Sequence, residues 1–253
     1  MTRPLVMKFG GGLLTEPASY AALAEQIISR RASRPQVVAV VSAMGGVTDE
    51  LLALAAKVHP TPPPRELDML VSAGERISMA LLAMALARLG ARAISLTGSQ
   101  SGLITCPRHS DARIIDVRPT RLKKHLDSGE LVIVAGFQGV SETKEITTLG
   151  RGGSDTTAVA LAVALGGDVE FYKDVGGIFT SDPKRDPDAQ PLRSLTFDEA
   201  FKRFSGHRPI HPRALALAAA NALPLQILGL GEGEGTEIGH REERGAVYEA
   251  VST

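Results

Sequence analysis

The chain has 253 residues, 43% of them hydrophobic, and its 28 Lys and Arg side chains balance 28 Asp and Glu side chains. This length and apolar content are sufficient for a sizeable core, built as one large domain or as two lobes that share an interface. Because no basic or acidic block breaks the charge balance, neither a nucleic-acid surface nor a polybasic membrane patch is indicated, and small-molecule partners are expected.

Cysteine content and the first residues indicate a cellular location. Cys106 is the only cysteine, so no intrachain disulfide is possible. The first residues, MTRPLVMKFGGG, contain neither a sustained apolar signal core nor a membrane-spanning segment. We therefore expect a cytoplasmic protein with no membrane partner.

Short apolar runs rich in Val and Ile alternate with longer Ala- and Leu-rich segments at helical spacing, which predicts an α/β fold around a mostly parallel sheet. Strands are predicted at Leu5–Phe9, Gln36–Ser42, Ala93–Leu96, Leu131–Ala135, Val169–Lys173 and Leu225–Leu228, with a last short strand near Gly245–Val251. Helices are predicted near Ser19–Arg31, Thr48–Val58, Leu67–Leu89, Pro119–Ser128, Ser154–Leu165, Thr196–Phe204 and Pro212–Ala222. The stretch HPTPPP at 59–64 and the tail GLGEGEGTEIG are predicted to be loops.

The first predicted strand runs into VMKFGGGLL, where Lys8 is followed by Gly10, Gly11 and Gly12. Glycines let backbone N–H groups approach an anion closely and the lysine adds a charge, so this turn is suited to a phosphate. Considered alone, the segment is more often a glycine turn with a surface lysine. It matches neither GxxxxGK[ST] nor GxGxxG, which argues against a P-loop enzyme and a nicotinamide dehydrogenase.

The second predicted strand runs into VVSAMGGVTDELL, which offers the hydroxyls of Ser42 and Thr48 around a glycine turn. Thr48 either caps the following helix or contributes to ligand binding, and the two roles are compatible. Further on, Glu75 and Arg76 interrupt an apolar run. These two charges either reach a cleft or lie on a solvated helix face, and without other information the solvated face is favoured.

The stretch TTLGRGGSD at 147–155 combines three glycines, an arginine and an aspartate at the start of a predicted helix. Backbone amides of Gly150, Gly152 and Gly153 at a helix N-terminus favour an anion. The Arg151 guanidinium suits bidentate contact with a carboxylate, and Asp155 can cap the helix or hold a lysine. A well-capped helix after a turn is the simpler alternative.

The stretch TTLGRGGSDTTAVALAVAL, followed by DVEFYKDVGGIFTSDPKRDPDA, closely resembles the catalytic domain of aspartate kinases, members of the amino acid kinase superfamily. The segments MKFGGG, VVSAMGGVTDELLALA, VSAGERIS, VAGFQGV and IHPRAL occur in the family's order, from about Leu5 to Leu228. The resemblance implies a three-layer α/β/α sandwich. About residues 1–143 would form a lobe for the amino acid and the phosphate loop, and 144–253 a lobe for the nucleotide.

The resemblance also implies an activity: transfer of the γ-phosphoryl group of ATP to the side-chain carboxylate of L-aspartate, the first step toward lysine, threonine, methionine and diaminopimelate. Because a carboxylate is already ionised at neutral pH, no general base is needed, and catalysis consists of positioning and charge neutralisation. ATP and Mg²⁺ are the implied cofactors. Mg²⁺ would bind mainly to β- and γ-phosphate oxygens, without metal ligands from the protein.

Site residues are implied by the same resemblance. Lys8 would stabilise charge on the transferring phosphoryl group, and Asp155 would organise this lysine. Arg151 would clamp a substrate carboxylate, and Glu75 would pair with the α-ammonium. The remaining assignments are backbone donors at Gly10 and Gly11, an amino-acid pocket completed by Ser42, Thr48, Phe137, Gly153 and Ser154, and a nucleotide site of Lys173, Asp174, Phe179, Lys184 and Arg208.

Several of these positions depart from the family pattern. The chain reads KFGGGLL where aspartate kinases usually read KFGGTSV, so Gly12 and Leu13 replace two hydroxyl-bearing residues. Of all that the resemblance implies, the identity of the acceptor is most affected by this departure. On the nucleotide side, Lys173 replaces a common threonine or serine, Phe179 a tyrosine, Lys184 an arginine and Arg208 a lysine.

Typical aspartate kinases continue into a pair of ACT domains that bind lysine or threonine, whereas this sequence stops soon after the catalytic domain. We expect a catalytic module without built-in feedback control, deregulated or controlled by a separate partner, that forms a homodimer. Two alternatives stay open. One is a kinase for another small carboxylate or amino acid, and the other is a catalytically silent amino-acid or nucleotide sensor, against which Lys8, Arg151 and Asp155 argue.

Overall fold

The computed structural model describes residues 3–204, 209–231 and 233–239. The strands are β1 (Leu5–Phe9), β2 (Val37–Val41), β3 (Ala93–Leu96), β4 (Leu103–Thr105), β5 (Ile114–Val117), β6 (Leu131–Ala135), β7 (Gln138–Ser141), β8 (Ile146–Thr148), β9 (Asp168–Tyr172), β10 (Ile178–Phe179), β11 (Pro191–Leu192), β12 (Ser194–Thr196), β13 (Leu225–Leu228) and β14 (Thr236–Gly239). The helices are α1 (Ser19–Ser33), α2 (Val47–Val58), α3 (Pro64–Val71), α4 (Ala73–Arg88), α5 (Thr120–Asp127), α6 (Gly153–Leu165), α7 (Phe197–Arg203) and α8 (Pro212–Ala220). A 3₁₀ turn, Gly11–Leu13, follows β1.

The central sheet has eight strands in the order β12-β14-β13-β9-β1-β2-β6-β3. Neighbouring strands are parallel except β13 and β14, which are antiparallel. β1 lies inside the sheet, between β2 and β9. The α/β fold with a mostly parallel sheet that the sequence predicted is therefore confirmed.

Each face of this sheet buries its own apolar core, because side chains alternate along a strand. Leu5, Met7 and Phe9 of β1 pack in one core with residues of α1 and α4. Val6 packs in the other core, with residues of α5, α6, α7 and α8. Helices cover both faces of the sheet, which gives the three-layer α/β/α sandwich.

Six predicted strands correspond to β1, β2, β3, β6, β9 and β13, with ends that differ by at most one residue. Most of the strands that the sequence did not predict form a second, four-stranded sheet, β5-β4-β7-β8, and the β10-β11 ribbon. β12 and β14 were also missed, and β14 lies in the tail that was predicted to be a loop. These strands are too short to carry a clear alternation. The strand predicted near Gly245–Val251 lies outside the described residues.

The helix predicted from Leu67 to Leu89 is two helices, α3 and α4, separated at Ser72. The Ser72 hydroxyl donates to the carbonyl of Met69 at 3.0 Å, and the Ser72 carbonyl accepts from Gln138 Nε2 at 2.9 Å. Side-chain hydrogen bonds of this kind compete with the regular helical pattern. α3 begins at Pro64, which was predicted to be loop, because proline is well suited to a first helical turn.

By length and composition alone, the helical run Pro64–Arg88 could cross a membrane, with a mean hydropathy of 1.5 over its most apolar window. In the structure α4 packs on α1, β3 and β6, and Leu82 and Leu86 are buried there. The run also carries Asp68 and Glu75, both buried. Packing against the sheet therefore accounts for the apolar character of this run.

Candidate functional site

The carboxyl ends of four parallel strands meet at one edge of the central sheet. β1 leads into Gly10, β2 into Ser42, β6 into Gly136 and β9 into Lys173. The start of α6 lies at the same edge, since a Cβ atom on Gly136 would be 2.6 Å from Cβ of Ser154. Open α/β sheets bind ligands beyond such strand ends, so the candidate site lies here.

Lys8 and Asp155 form a buried ion pair at this edge, with 2.6 Å between Nζ and Oδ1 and side chains that are 5% and 7% exposed. The backbone N–H of His211 donates to Asp155 Oδ2 at 3.2 Å. Burial alone raises the pKa of Asp155, but the charges of Lys8 and Lys173 and these hydrogen bonds outweigh burial and hold the pKa below its ordinary value. The Asp155 carboxylate is therefore ionised and positions the Lys8 ammonium.

Lys173 is a second cation beside the same carboxylate, with 3.7 Å between its Nζ and Asp155 Oδ1. Its ammonium also lies 5.9 Å from the centre of the Phe171 ring. Burial and the charge of Lys8 lower the pKa of Lys173 to about 8, although Asp155 opposes the shift. Lys8, Lys173 and Asp155, here called the lysine cluster, thus combine two cations with one carboxylate.

A cavity of about 550 Å³ lies next to the lysine cluster. Its volume suits a small polar molecule. The seven residues predicted to bind the amino acid all line it, namely Ser42, Thr48, Glu75, Phe137, Arg151, Gly153 and Ser154. The structure therefore brings together, around one space, residues that are spread over more than a hundred positions of the sequence.

Glu75 extends into this cavity from the first turn of α4, where it is 4% exposed. Its Oε1 accepts from the backbone N–H of Ala43 at 3.0 Å, while Oε2 is buried without a hydrogen-bond partner among the described residues. Burial raises the pKa of Glu75 to about 7. The solvated helix face, favoured for Glu75 when the segment was considered alone, is therefore wrong.

Two capping roles that the sequence left open are not observed. α2 begins at Val47, after Gly46 in a left-handed conformation with φ of 86°, so Thr48 is already inside the first turn and lines the cavity. α6 is preceded by Gly152 without a side-chain cap, and Asp155 pairs with lysines instead. Glycine occupies both positions because the chain turns there with positive φ.

The backbone at Phe137 is strained, with φ of 68° in a region that non-glycine residues seldom adopt. Two hydrogen bonds stabilise this conformation: the Phe137 N–H donates to Thr157 Oγ1 at 3.2 Å, and its carbonyl accepts from the Leu149 N–H at 2.8 Å. The hydroxyls of Ser42 and Ser154 are 2.8 Å apart in the same cavity wall. Strain of this kind is often found at binding sites.

The predicted backbone donors lie between the lysine cluster and the cavity wall. A Cβ atom on Gly10 would be 3.6 Å from Lys8 Nζ, and one on Gly11 would be 3.1 Å from the carbonyl oxygen of Ala43. Gly11 and Gly12 line the cavity. A Cβ atom on Gly12 would meet nothing within 4 Å, so this departure from the family pattern leaves open space.

Gly152 is the glycine of this turn with the tightest surroundings, since a Cβ atom there would lie 2.1 Å from Cγ of His211. Gly152→Ala is expected to lower the free energy of unfolding by about 3 kcal/mol, because the left-handed backbone costs about 1 kcal/mol and overpacking adds about 1 to 3. Gly166→Ala is the matched control, since its φ of 61° is similar and nothing lies within 4 Å of its Cβ position. Urea unfolding measures both, and equal losses would contradict the clash with His211.

The sequence analysis missed Asp68, a fully buried residue of α3 that lines the cavity. Its carboxylate accepts from the backbone N–H of Ser110 at 3.0 Å and from Thr148 Oγ1 at 2.6 Å, and it lies 2.8 Å from His109 Nδ1. Asp68 thereby ties α3 to β8 and to the segment around Ser110. The available signal was a carboxylate between the apolar residues Leu67 and Met69.

Of the residues predicted to bind the nucleotide, the four that the structure describes do not line this cavity. Lys173 belongs to the lysine cluster, Asp174 and Lys184 form an exposed ion pair at 2.8 Å, and Phe179 lies half-buried in β10. Arg208 lies outside the described residues. Of this predicted set, the structure brings Lys173 next to Asp155 and leaves Asp174 and Lys184 paired at the surface.

Comparison with known proteins identifies the family. The model of the amino acid kinase family matches residues 3–229. An aspartokinase of Corynebacterium glutamicum is 50% identical over 253 residues, 98% of this chain and 60% of that protein. This chain therefore spans less than two thirds of that relative's length.

Solved structures agree with this match. Aspartate kinase from Synechocystis has a TM-score of 0.82 at 41% identity, over 96% of this chain and 40% of that one. Aspartokinase III of E. coli, in complex with aspartate and ADP, has a TM-score of 0.83 at 26% identity, over 95% and 65%. With the family model matching nearly all of its residues and the same fold in these structures, the chain belongs to the amino acid kinase family.

Proposed function

We propose that this chain carries the catalytic activity of an aspartate kinase, which transfers the γ-phosphoryl group of ATP to the side-chain carboxylate of L-aspartate. One observation carries the proposal: a buried Lys8–Asp155 pair adjoins a cavity that is lined by both Arg151 and Glu75. This arrangement supplies a cation for a phosphate, a cation for a carboxylate and an anion for an ammonium group.

Recognition of the amino acid follows from the charged and hydrogen-bonding groups that line the cavity. Glu75 Oε2 is buried and has no hydrogen-bond partner within the described part of the chain, a costly state that a bound α-ammonium group would relieve. The guanidinium of Arg151 would clamp a carboxylate of the substrate, and the hydroxyls of Ser42 and Ser154 would add hydrogen bonds. An amino acid with a second acidic group matches these three kinds of contact.

The transfer itself requires charge neutralisation more than acid–base chemistry. A side-chain carboxylate oxygen would form a bond to the γ-phosphorus while the bond to the β–γ bridging oxygen breaks, and the electron pair would leave with ADP. No proton moves in this step. Lys8, held in place by Asp155, would stabilise charge on the transferring group, with the N–H groups of Gly10 and Gly11.

Mg²⁺ is proposed as the cofactor because it would neutralise phosphate charge during the transfer. Among the described residues, no group of three or more His, Cys, Asp or Glu is arranged to hold a metal ion. Asp155, the carboxylate nearest the proposed transfer point, is already engaged by two lysines. The ion would therefore be held mainly by β- and γ-phosphate oxygens and water, which is usual for Mg²⁺.

The nucleotide side of the proposal rests on the segment KDVGGIFTSDPK, in which Lys173, Asp174, Phe179 and Lys184 would contact ATP, with Arg208 from a later segment. These residues all belong to the proposed C-terminal lobe, residues 144–253. The amino acid would be bound largely by the N-terminal lobe, residues 1–143, although Arg151, Gly153 and Ser154 come from the other part of the chain. Phosphoryl transfer would then take place where the two parts meet.

The test of this function is ATP- and Mg²⁺-dependent formation of an acyl phosphate, trapped with hydroxylamine. Aspartate, glutamate, N-acetylglutamate and buffer alone are the four arms. Signal with aspartate alone is the expected result. Signal with a different acid would assign another acceptor, and silence in all four arms would overturn the kinase proposal in favour of a sensor.

Glu75→Gln is expected to stabilise the free protein above pH 7 while weakening aspartate binding. The pKa of Glu75 is raised to about 7, so its ionisation destabilises the fold progressively as pH rises from about 4.5 through 7. The variant should remove that fall, a gain of about 1 to 3 kcal/mol at pH 8. Its KM for aspartate should rise about 10- to 100-fold through the lost ionic contact.

Urea unfolding between pH 4 and 8 and initial-rate kinetics measure these two effects. Glu25→Gln, an exposed position of α1, is the control and should change neither. For the wild type, KM for aspartate should rise as pH falls below 7, because a protonated Glu75 cannot pair with an ammonium group. A pH-independent KM over that range would contradict the assignment of Glu75.

Gly12→Thr is expected to lower KM for aspartate by up to about tenfold, the effect of one added hydrogen bond. The open space at the Gly12 Cβ position should accommodate the side chain without unfolding the protein. Gly12→Val has the same shape without the hydroxyl and is the matched control. Equal KM values for the two variants would show that this position does not contribute to acceptor recognition.

We further propose a homodimer, a cytoplasmic location and a role in lysine and threonine biosynthesis, as expected from the sequence. Light scattering of the purified chain measures the oligomeric state, and a monomer at micromolar concentration would contradict the dimer. A separate regulatory partner stays a prediction. Inhibition of the purified chain by lysine or threonine alone would remove the reason to expect one.

A further inference from the structure

We propose that Lys173 takes part directly in phosphoryl transfer, as a second cation that shares Asp155 with Lys8 and contacts the transferring phosphoryl group. This inference rests on the proposed kinase function. It assigns Lys173 a position at the reacting atoms, whereas sequence resemblance assigned it only to the nucleotide site, at a position where the family commonly has threonine or serine.

The register of the central sheet places the two lysines together. Phe9 of β1 is opposite Tyr172 of β9, so the next residues, Gly10 and Lys173, come level with each other at the strand ends. A Cβ atom on Gly10 would lie 3.6 Å from Lys8 Nζ and 3.9 Å from Lys173 Cδ. Both lysine side chains are therefore adjacent to the glycine turn that is proposed to bind phosphate.

The charge balance of the lysine cluster favours an anionic ligand. Asp155 Oδ1 lies 2.6 Å from Lys8 Nζ and 3.7 Å from Lys173 Nζ, so one carboxylate faces two cations. Asp174 adds some negative potential, but its carboxylate pairs with Lys184 at 2.8 Å. Excess positive charge in a largely buried place is unfavourable unless an anion joins it, and a phosphoryl group would supply that anion.

The groups around Lys173 determine its protonation state. Lys8 of β1 and Asp155 of α6 face it, Asp174 follows it in sequence, and the Phe171 ring lies 5.9 Å from its ammonium. Burial and Lys8 lower its pKa to about 8, which is close enough to neutrality for a kinetic experiment to observe its titration.

The phosphoryl transfer that Lys173 would assist moves no proton and leaves the total charge unchanged. A carboxylate oxygen of the acceptor bonds to the γ-phosphorus, the bond from that phosphorus to the bridging oxygen breaks, and the electron pair remains on ADP. Negative charge moves from the acceptor to the leaving oxygen during the step. Two lysines next to the phosphoryl group would stabilise this charge more than Lys8 alone.

The first experiment compares Lys173→Met and Lys173→Arg with the wild type from pH 6 to 9.5, by the hydroxylamine assay. In the wild type, kcat/KM for ATP should fall as pH rises through about 8, because the free protein loses the Lys173 proton there. Lys173→Arg should retain activity within about tenfold and lose that fall, since arginine stays charged. Lys173→Met should lose about 100-fold in kcat at pH 7.

Lys123→Met, an exposed position of α5, is the control for the removal of a lysine. A higher KM for ATP with unchanged kcat in Lys173→Met would overturn the inference and restore a role in nucleotide binding alone. Equal losses in the Met and Arg variants at every pH would also overturn it, since they would indicate a structural role.

A second experiment measures the lysine cluster without catalysis. The rate at which an amine-specific reagent modifies Lys173, followed by mass spectrometry across pH, reports its titration in the folded protein. Lys8→Met should shift that titration to higher pH, because the repulsion from Lys8 is lost and Asp155 is left to Lys173. No shift would overturn the inference while leaving the proposed function standing. Absence of acyl phosphate with the wild type would instead overturn the proposed function, and the catalytic role of Lys173 with it.

Discussion

Lys8→Met is expected to reduce acyl phosphate formation by at least about 1,000-fold, the effect of removing a preorganised group that stabilises transition-state charge. Methionine keeps most of the unbranched side chain, so the 5% exposed site stays filled. Asp155 retains Lys173 and the backbone N–H of His211, so the protein should remain folded. Initial rates at saturating ATP and aspartate, with circular dichroism of the same sample, measure the two expectations.

The loss in Lys8→Met should lie in kcat, because the ammonium is proposed to act on charge that develops during transfer and not on bound substrate alone. Lys123→Met serves again as control and should match the wild type. A folded Lys8→Met protein within tenfold of wild-type kcat would remove Lys8 from the proposed catalytic role.

Asp155→Asn is expected to have the largest combined effect on stability and activity. The amide keeps the shape of the carboxylate but removes the negative charge that the buried Lys8 and the mostly buried Lys173 share. Removing one partner of a buried ion pair costs about 3 to 5 kcal/mol, so the free energy of unfolding should fall by that amount at pH 7. Activity should fall at least as far as in Lys8→Met, since both lysines lose their anchor.

The stability difference between Asp155→Asn and the wild type should depend on pH in one direction. The folded protein holds the pKa of Asp155 below its ordinary value. The ionised carboxylate therefore stabilises the fold at pH values above the ordinary pKa, and this contribution is lost as the pH falls through the lowered pKa. The difference should therefore shrink in acid. Urea unfolding at pH 7 and near pH 3.5 tests this expectation, with Asp127→Asn on the surface of α5 as control. An undiminished difference in acid would contradict it.

The parts of the fold that the sequence predicted are those with strong local patterns. β2 and β6 are uninterrupted apolar runs of five residues, β1 and β9 are mostly apolar, and the helices on either side repeat apolar residues at helical spacing. The sheet formed by β4, β5, β7 and β8 was missed because its strands have three or four residues and include glycine and polar side chains. The pairing of β4 with β7, which joins the two halves of this sheet, connects distant segments that a local pattern does not report.

Site residues that belong to a family motif could be predicted from the sequence. Contacts that depend on which strands are neighbours could not. Glu75 was ambiguous by pattern because a charge in an apolar helix fits either a cleft or a solvated face. The contact of Lys173 with Asp155 depends on β9 lying beside β1, a neighbour relation between segments far apart in the chain. The anchoring role of Asp68 depends on hydrogen bonds to Ser110 and Thr148, which likewise come from elsewhere.

The position of β1 between β2 and β9 has a consequence for biosynthesis of the chain. Leu5 pairs with Val37 on one side and with Asp168 on the other, so during translation one edge of this apolar strand has no partner until β9 has emerged from the ribosome. Unpaired apolar edges promote association between nascent chains, and a charge on such an edge opposes it. Lys8, the one charged residue of β1, would therefore protect the unfinished chain from aggregation before Asp155 is available to bury it.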